Sequence, residues 1–207
     1  MPTMTLRFVS FALMAALAVP AAAPARADAV SDGTQLIRSM GETVVAILAN
    51  KGMPKAQREE RFRQIYRANF DGAIIAASVM GPTWKSTAPP IQQEYLQVFE
   101  IYIAKVYAAQ LSTYSGEKLD VTRGEADGPG ATIESRIVDP KSGRTVDIKW
   151  RLRPTAGQMK VRDVLIENIS MAQTQRREFA AVLQQRGGKA EGLIAAIREK
   201  IADLDKK

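Results

Sequence analysis

The chain of 207 residues contains no cysteine and no histidine. Without cysteine it forms no disulfide, so burial alone must stabilise the fold. Nucleophilic triads and the common zinc sites need histidine, cysteine or both, and these classes of site are excluded. Acidic residues, lysine, tyrosine and serine remain, but no pair of them falls in a recognisable catalytic motif. The sequence therefore predicts no catalytic residue, no metal site, no cofactor and no enzymatic activity.

Long apolar runs are also scarce. The longest, Phe8 to Val19, is shorter than the roughly 20 residues that span a bilayer. Arg7 precedes it, and small residues ending at Ala27 follow it, which is the pattern of a cleavable secretory signal. We therefore predict a signal peptide over residues 1–27 and a soluble, exported mature chain over residues 28–207.

Charge of one sign is not concentrated anywhere in the chain. The 29 basic and 22 acidic side chains give a net charge of +7, which falls to about +5 once the two arginines of the leader are removed. Nucleic-acid binders usually group Lys and Arg in a stripe with interleaved aromatics. Here both signs are interspersed, as on an ordinary solvated surface, and no nucleic-acid partner is predicted.

Residues 28–116 have helical periodicity. Apolar residues spaced three and four apart predict a first helix over 28–50 and a second that begins at Pro54. A short third helix, "GAIIAASVM", follows Asp71 as its predicted cap. A long fourth helix begins at Pro89-Pro90, with Ser86 or Thr87 as its cap.

The long helix has an unusually wide apolar surface. At about 100° per residue, its aromatic and aliphatic side chains cover about half of the circumference, whereas a surface helix shows a stripe nearer 100°. We expect it to be covered from two directions, by a sheet and by something else. We therefore expect this helix to line an apolar cavity as well as a core.

After Gly116 the period changes to two. Four antiparallel strands are predicted, over residues 118–121, 131–138, 145–153 and 159–171. One face of the third strand is apolar and the other is charged, as expected for a meander packed on helices. Amphipathic helices return over residues 173–207, with a break at Gly187-Gly188. We predict one α+β domain, in which the sheet occupies residues 117–172.

Several stretches in this order resemble one known family: "MGPTWKSTAP", "FEIYIAKVYAAQLSTYSG", "VDIKWRLR" and "VRDVLIENISMAQTQRREFAAVL". The chain is similar to the MlaC-like periplasmic phospholipid-binding proteins, also called toluene-tolerance proteins, from about Asp28 to Leu204. That family tends to have a glycine where this chain has Asn168.

The resemblance implies a nuclear-transport-factor-like roll, with a four-stranded antiparallel sheet packed on helices and terminal helices enclosing an apolar cavity. It also implies a monomeric periplasmic carrier that shields phospholipid acyl chains. Its partners would be an outer-membrane lipoprotein complex and an inner-membrane ABC transporter complex with its periplasmic lipid-binding subunit. A hopanoid or another polycyclic lipid is an alternative ligand.

The predicted cavity wall combines the inward arc of the long helix, the apolar strand face and the short apolar helix. Its members are Ile74, Ile75, Met80, Trp84, Tyr95, Phe99, Tyr102, Ile103, Val106, Tyr107, Ile133, Ile148, Trp150, Leu152 and Ile166. Arg176 and Arg177 are predicted to lie near the mouth and to contact a headgroup or a partner. Plain core packing stays an alternative for every wall residue, because periodicity cannot distinguish lining a cavity from filling a core.

Two other classes of function stay open at this point. An enzyme on the same roll would use a residue such as Asp163 or Tyr102 as acid or base in a dry pocket. A ligand-free interaction module of a transporter would have a filled core and would act only through its surface.

Overall fold

Helices occupy both ends of the chain and an antiparallel sheet occupies its middle in the computed structural model, which describes residues 23–206. The helices are α1 (Ala23–Ala49), α2 (Lys55–Asn69), α3 (Gly72–Met80), α4 (Thr83–Ser86), α5 (Pro89–Gln110), α6 (Met171–Gln185) and α7 (Ala190–Asp205). The strands are β1 (Lys118–Asp127), β2 (Gly130–Val138), β3 (Thr145–Thr155), β4 (Gln158–Ile166) and β5 (Ile169–Ser170). The predicted α+β roll is confirmed. Most of the predicted signal peptide lies outside the described residues, and its predicted cleavage point falls within α1.

The sheet is a meander in which each strand pairs antiparallel with the next, in the order β1 to β5. Four strands were predicted, and the fifth arises because the segment predicted as one strand over 159–171 is broken. Glu167 and Asn168 have φ values of 49° and 64°, so the chain reverses there and β5 pairs back onto β4. Asparagine adopts this left-handed conformation more readily than most residues, so Asn168 can occupy a position where the resemblance led us to expect glycine.

The first strand is longer than predicted. It continues through Asp127 instead of ending at residue 121, because "GEAD" pairs with β2 and the turn between the strands is confined to Gly128-Pro129. Gly124 lies in the middle of this strand, and a Cβ there would come within 2.6 Å of Val30 Cγ1 on α1. The glycine therefore allows α1 to lie close against the sheet.

Helix α1 covers part of the inner sheet face. Its Ile37 and Met40 form a core cluster with Ile133 and Leu152 from the sheet. Gly33 sits directly over Ile133, whose side chain would be 3.2 Å from any added Cβ. The sheet around Ile133 and Leu152 is consequently filled by side chains and leaves no space for a ligand.

Helix α5 is surrounded mainly by other helices. Helices α2, α3 and α7 pack against it, and the sheet faces it across an open space. Its residues Tyr95, Val98 and Phe99 belong to a core cluster with α3, α6 and α7. The long helix was expected to be covered from two directions, by a sheet and by something else; helices pack directly against it, and the sheet covers it only across the open space.

Two predicted helix caps differ from the structure. The residue that precedes α5 is Ala88, with Pro89 in the first turn, whereas Ser86 ends the short helix α4. Asp71 does precede α3, but its carboxylate accepts hydrogen bonds from Thr155 Oγ1 at 2.8 Å and Arg162 Nε at 3.2 Å. Asp71 thus ties the start of α3 to strands β3 and β4 and does not cap the helix.

The packing of α2 on α5 predicts a pH-dependent stability. Burial alone would raise the pKa of Glu100, but hydrogen bonds from Arg67 and Arg63 outweigh it and hold the pKa below the usual value. A lowered pKa in the folded state stabilises the protein above the unfolded pKa of about 4.3 and loses this contribution as the pH falls through the folded value. Glu100→Gln should therefore lower the thermal midpoint more at pH 7 than near pH 3, which is below the unfolded pKa. An equal fall in the thermal midpoint at both pH values would contradict the lowered pKa of Glu100 in the folded state.

Candidate functional site

A cavity of about 750 Å³ lies between the sheet and the helices α1, α2, α3, α5 and α6. Most of its lining is apolar, and it opens at one end of the sheet. The residues that form its apolar walls include Met40, Val44, Val45, Leu48, Phe62, Ile65, Tyr66, Phe70, Ile75, Val79, Phe99, Ile103, Ala104, Tyr107, Leu111, Leu119, Ile137, Ile148, Trp150, Val164, Ile166 and Met171. Its size is within the range of about 300–1,000 Å³ that holds small hydrophobic ligands.

The strand side of the cavity is formed by alternate residues of β3 and β4, which share one face of the sheet. Ile148 pairs with Ile166 across β3 and β4, and Trp150 pairs with Val164, so all four side chains lie on the same face. The Trp150 indole Nε1 donates a hydrogen bond to Ser135 Oγ at 2.9 Å. Because that bond satisfies the polar atom, the ring contributes apolar surface to the wall.

The helix side of the cavity is formed largely by one stripe of α5. Phe99, Ile103 and Tyr107 are spaced four apart and lie one above the other on the helix. Burial raises the pKa of Tyr107, and the nearby Tyr102 and Asp163 raise it further, so this phenol stays neutral. The wide apolar arc of α5 is thereby explained, because one part packs in the helical core and the adjacent part lines open space.

About half of the predicted wall residues line this cavity. They are Ile75, Phe99, Ile103, Tyr107, Ile148, Trp150 and Ile166. The structure places the others elsewhere: Ile74, Met80, Trp84, Tyr95, Tyr102, Val106, Ile133 and Leu152 are not part of the lining. Contact with a ligand stays a prediction for the first group.

The residues outside the lining have other surroundings. Tyr95 is completely buried and donates a hydrogen bond to the carbonyl of Ala76 at 3.1 Å, which fixes it in the helical core. Ile133 and Leu152 are buried under α1. Ile74 is 49% exposed on the outer side of α3. Each of these positions has the same local pattern as a lining residue, and only the packing of distant elements separates them.

Much of the wall comes from segments that the sequence prediction did not include. The second half of α1 contributes Met40, Val44 and Leu48, and α2 contributes Phe62 and Tyr66. The apolar stripes of both helices were visible in the sequence, but a stripe does not reveal what it faces. Burial raises the pKa of Tyr66, and its hydroxyl has no hydrogen-bond partner among the described residues.

Charged side chains of the lining lie in two places. Arg162 and Asp163 are on β4, where Arg162 pairs with Asp71 at 3.1 Å and Asp163 accepts a hydrogen bond from the Ala172 amide at 3.2 Å. The carboxylate of Asp163 thus binds the first turn of α6. At the open end, polar residues converge from strand termini, and Val146 beside them is 36% exposed.

The arginine pair predicted for the mouth lies outside the lining. The guanidinium of Arg176 would be 3.2 Å from a Cβ on Gly81, and Arg177 Nη2 donates to Thr174 Oγ1 at 3.0 Å. Over the described residues, no cluster of acidic groups could hold a metal ion. Nor is any helix between residues 23 and 206 long and apolar enough to cross a membrane.

A family model described as MlaC protein matches residues 38–199, which is most of the chain. The intermembrane phospholipid transport system binding protein MlaC of Haemophilus influenzae is 24% identical over 115 residues, 54% of each chain. The toluene tolerance protein ttg2D of Pseudomonas putida is 25% identical over 126 residues, 60% of this chain and 58% of that protein. The chain therefore spans little more than half the length of the curated relatives it matches.

The fold also matches a solved structure. A phospholipid-binding protein from Ralstonia solanacearum, determined in complex with a phospholipid, superposes with a TM-score of 0.70. The match covers 84% of this chain and 99% of that one at 21% sequence identity. At this level of identity the likeness establishes the common fold.

Proposed function

The chain belongs to the MlaC family, and from this membership we propose that it is a lipid carrier that encloses phospholipid acyl chains in its cavity. The observation that carries the proposal is the apolar space of about 750 Å³ that remains between the sheet and α5. A filled core, as in an interaction module without ligand, would leave no such space. The names of the relatives, which refer to phospholipid transport and binding, support the same function.

Burial of acyl chains supplies the affinity for such a ligand. Each methylene transferred from water contributes about 0.8 kcal/mol, so enclosing about twenty contributes on the order of 16 kcal/mol before ordering costs. No covalent step is required, and we propose a carrier without enzymatic activity. Ile75, Phe99, Ile103, Tyr107, Ile148, Trp150 and Ile166 are the predicted wall residues that we assign to the acyl chains.

The proposed setting is the periplasm, reached through the predicted signal peptide. There the carrier would shuttle lipid between an outer-membrane lipoprotein complex and the periplasmic lipid-binding subunit of an inner-membrane ABC transporter. Arg176 and Arg177 lie outside the lining, so we assign them to partner contact and not to the headgroup.

Native mass spectrometry of the mature protein, purified from the periplasm without detergent, tests the proposal. We expect a bound mass that lipid extraction resolves into phospholipid. A polycyclic lipid in its place would support the carrier function and correct the ligand class. A protein that is empty as isolated and takes up no added lipid would overturn the carrier function and favour the interaction module.

A further inference from the structure

Two cationic side chains lie together at the mouth of the cavity, although they are far apart in the sequence. Lys118 begins β1 and pairs with Val138 at the end of β2, which pairs in turn with Thr145 at the start of β3. Arg144 directly precedes Thr145, and its carbonyl accepts a hydrogen bond from the Asp139 amide at 2.9 Å. Three strand ends therefore bring Lys118 and Arg144 to one rim, and both residues border the cavity.

The two acids at this rim are engaged by their own turns. Glu117 accepts hydrogen bonds from the backbone amide and the hydroxyl of Ser115. The hydrogen bond from the backbone amide is the main reason that the pKa of Glu117 is lowered. Asp139 accepts from the Ser142 hydroxyl and from the Lys141 amide, and these bonds lower its pKa in the same way. Both carboxylates are ionised, but their acceptor atoms are directed toward backbone and hydroxyl donors.

The cations are less constrained than these acids. The Arg144 side chain is 85% exposed; its Nε donates a hydrogen bond to Ser142 Oγ at 3.3 Å, and its Nη2 is 3.9 Å from Asp139, at the limit of an ion pair. Within residues 28–206, Lys118 makes no ion pair and no side-chain hydrogen bond. The α5 side of the rim contributes Gln110, Thr113 and Tyr114, which carry no charge. The mouth thus presents positively charged hydrogen-bond donors beside two carboxylates that are engaged by their own turns.

We propose that Lys118 and Arg144 bind the phosphate of the ligand's headgroup and select phosphate-bearing lipids over neutral lipids with the same chains. Guanidinium and ammonium groups form charge-assisted hydrogen bonds to phosphate oxygens, which are stronger than neutral ones. The acyl chains would fill the cavity below while the phosphate stays at the solvated rim. This inference rests on the proposed carrier function and adds the headgroup chemistry to it.

The test offers delipidated protein an equimolar mixture of dioleoyl phosphatidylglycerol and dioleoylglycerol, followed by native mass spectrometry of the loaded species. The wild-type protein should favour the phospholipid. In the double variant Lys118→Gln/Arg144→Gln this preference should fall about tenfold, since about 1.4 kcal/mol of differential binding corresponds to that factor. Uptake of dioleoylglycerol should stay unchanged, because the acyl cavity is intact.

Matched controls separate a specific contact from a general loss of charge. Lys141→Gln removes a cation from the same turn but outside the lining, and it should keep the wild-type preference. Arg176→Gln/Arg177→Gln should also keep it. Because Lys118 and Arg144 are exposed, thermal midpoints of all variants should match the wild type.

The outcomes are distinguishable. Equal uptake of both lipids by the wild type, or an unchanged preference in the double variant, would overturn the phosphate contact and leave the carrier function standing. Binding of sn-glycerol 3-phosphate, which has no acyl chain, as tightly as the phospholipid would show a plain anion site and would also overturn it. Failure to load either lipid would overturn the carrier function itself.

Discussion

Replacing Ile103 with glutamate should leave the purified protein without lipid. Ile103 lines the cavity on α5 and is half-buried, so the new carboxylate would enter the apolar space where acyl chains are proposed to lie. Desolvating a charge, or bringing water in to hydrate it, opposes the burial of methylenes that drives binding. We expect at least about a tenfold fall in bound lipid per protein, measured by extraction and native mass spectrometry.

Ile74→Glu is the matched control for this change. It is the same substitution on an isoleucine that was also predicted for the wall, but this side chain is 49% exposed outside the lining. Lipid content should be that of the wild type. Circular dichroism must show that both variants keep their helices. Normal lipid content in a folded Ile103→Glu protein would mean that the cavity is not the binding site.

Truncating two isoleucines of the sheet should have very different effects on stability. Ile133 is completely buried between the sheet and α1, and Ile133→Ala should lower the free energy of unfolding by about 3 kcal/mol through lost burial and a new void. Ile166 lines the cavity and already lacks packing partners on one side. Ile166→Ala should cost only about 1 kcal/mol in delipidated protein.

Urea unfolding of the two delipidated variants beside the wild type measures this difference. Adding phospholipid should stabilise the wild type, since a ligand that binds only the folded state raises the free energy of unfolding. Equal losses in the two variants would indicate that the region around Ile166 is packed as tightly as the core. The cavity would then be absent in solution, and the wide arc of α5 would need another explanation.

The sequence was sufficient for the fold because its patterns act locally. A period near 3.6 in residues 28–116 and a period of two after Gly116 reflect side chains that must share one face of a helix or a strand. The element types and the α+β class follow from that requirement alone. Some strand boundaries differ from the predicted ones. The predicted fourth strand is divided into β4 and β5 at Asn168, and β1 extends to Asp127.

The site depended on contacts between distant segments. Ile133 and Ile166 both lie in strands predicted from the sequence, yet α1 covers the first and an open space adjoins the second. The cations of the mouth are separated by a complete hairpin, and only the strand register brings them together. Periodicity predicts which residues are buried, whereas the position of neighbouring elements determines whether those residues pack against other side chains or line a cavity. The sequence patterns therefore determined an α+β chain with apolar faces, and the resemblance to the MlaC-like proteins implied the roll. The tertiary structure decided which of those faces enclose a cavity.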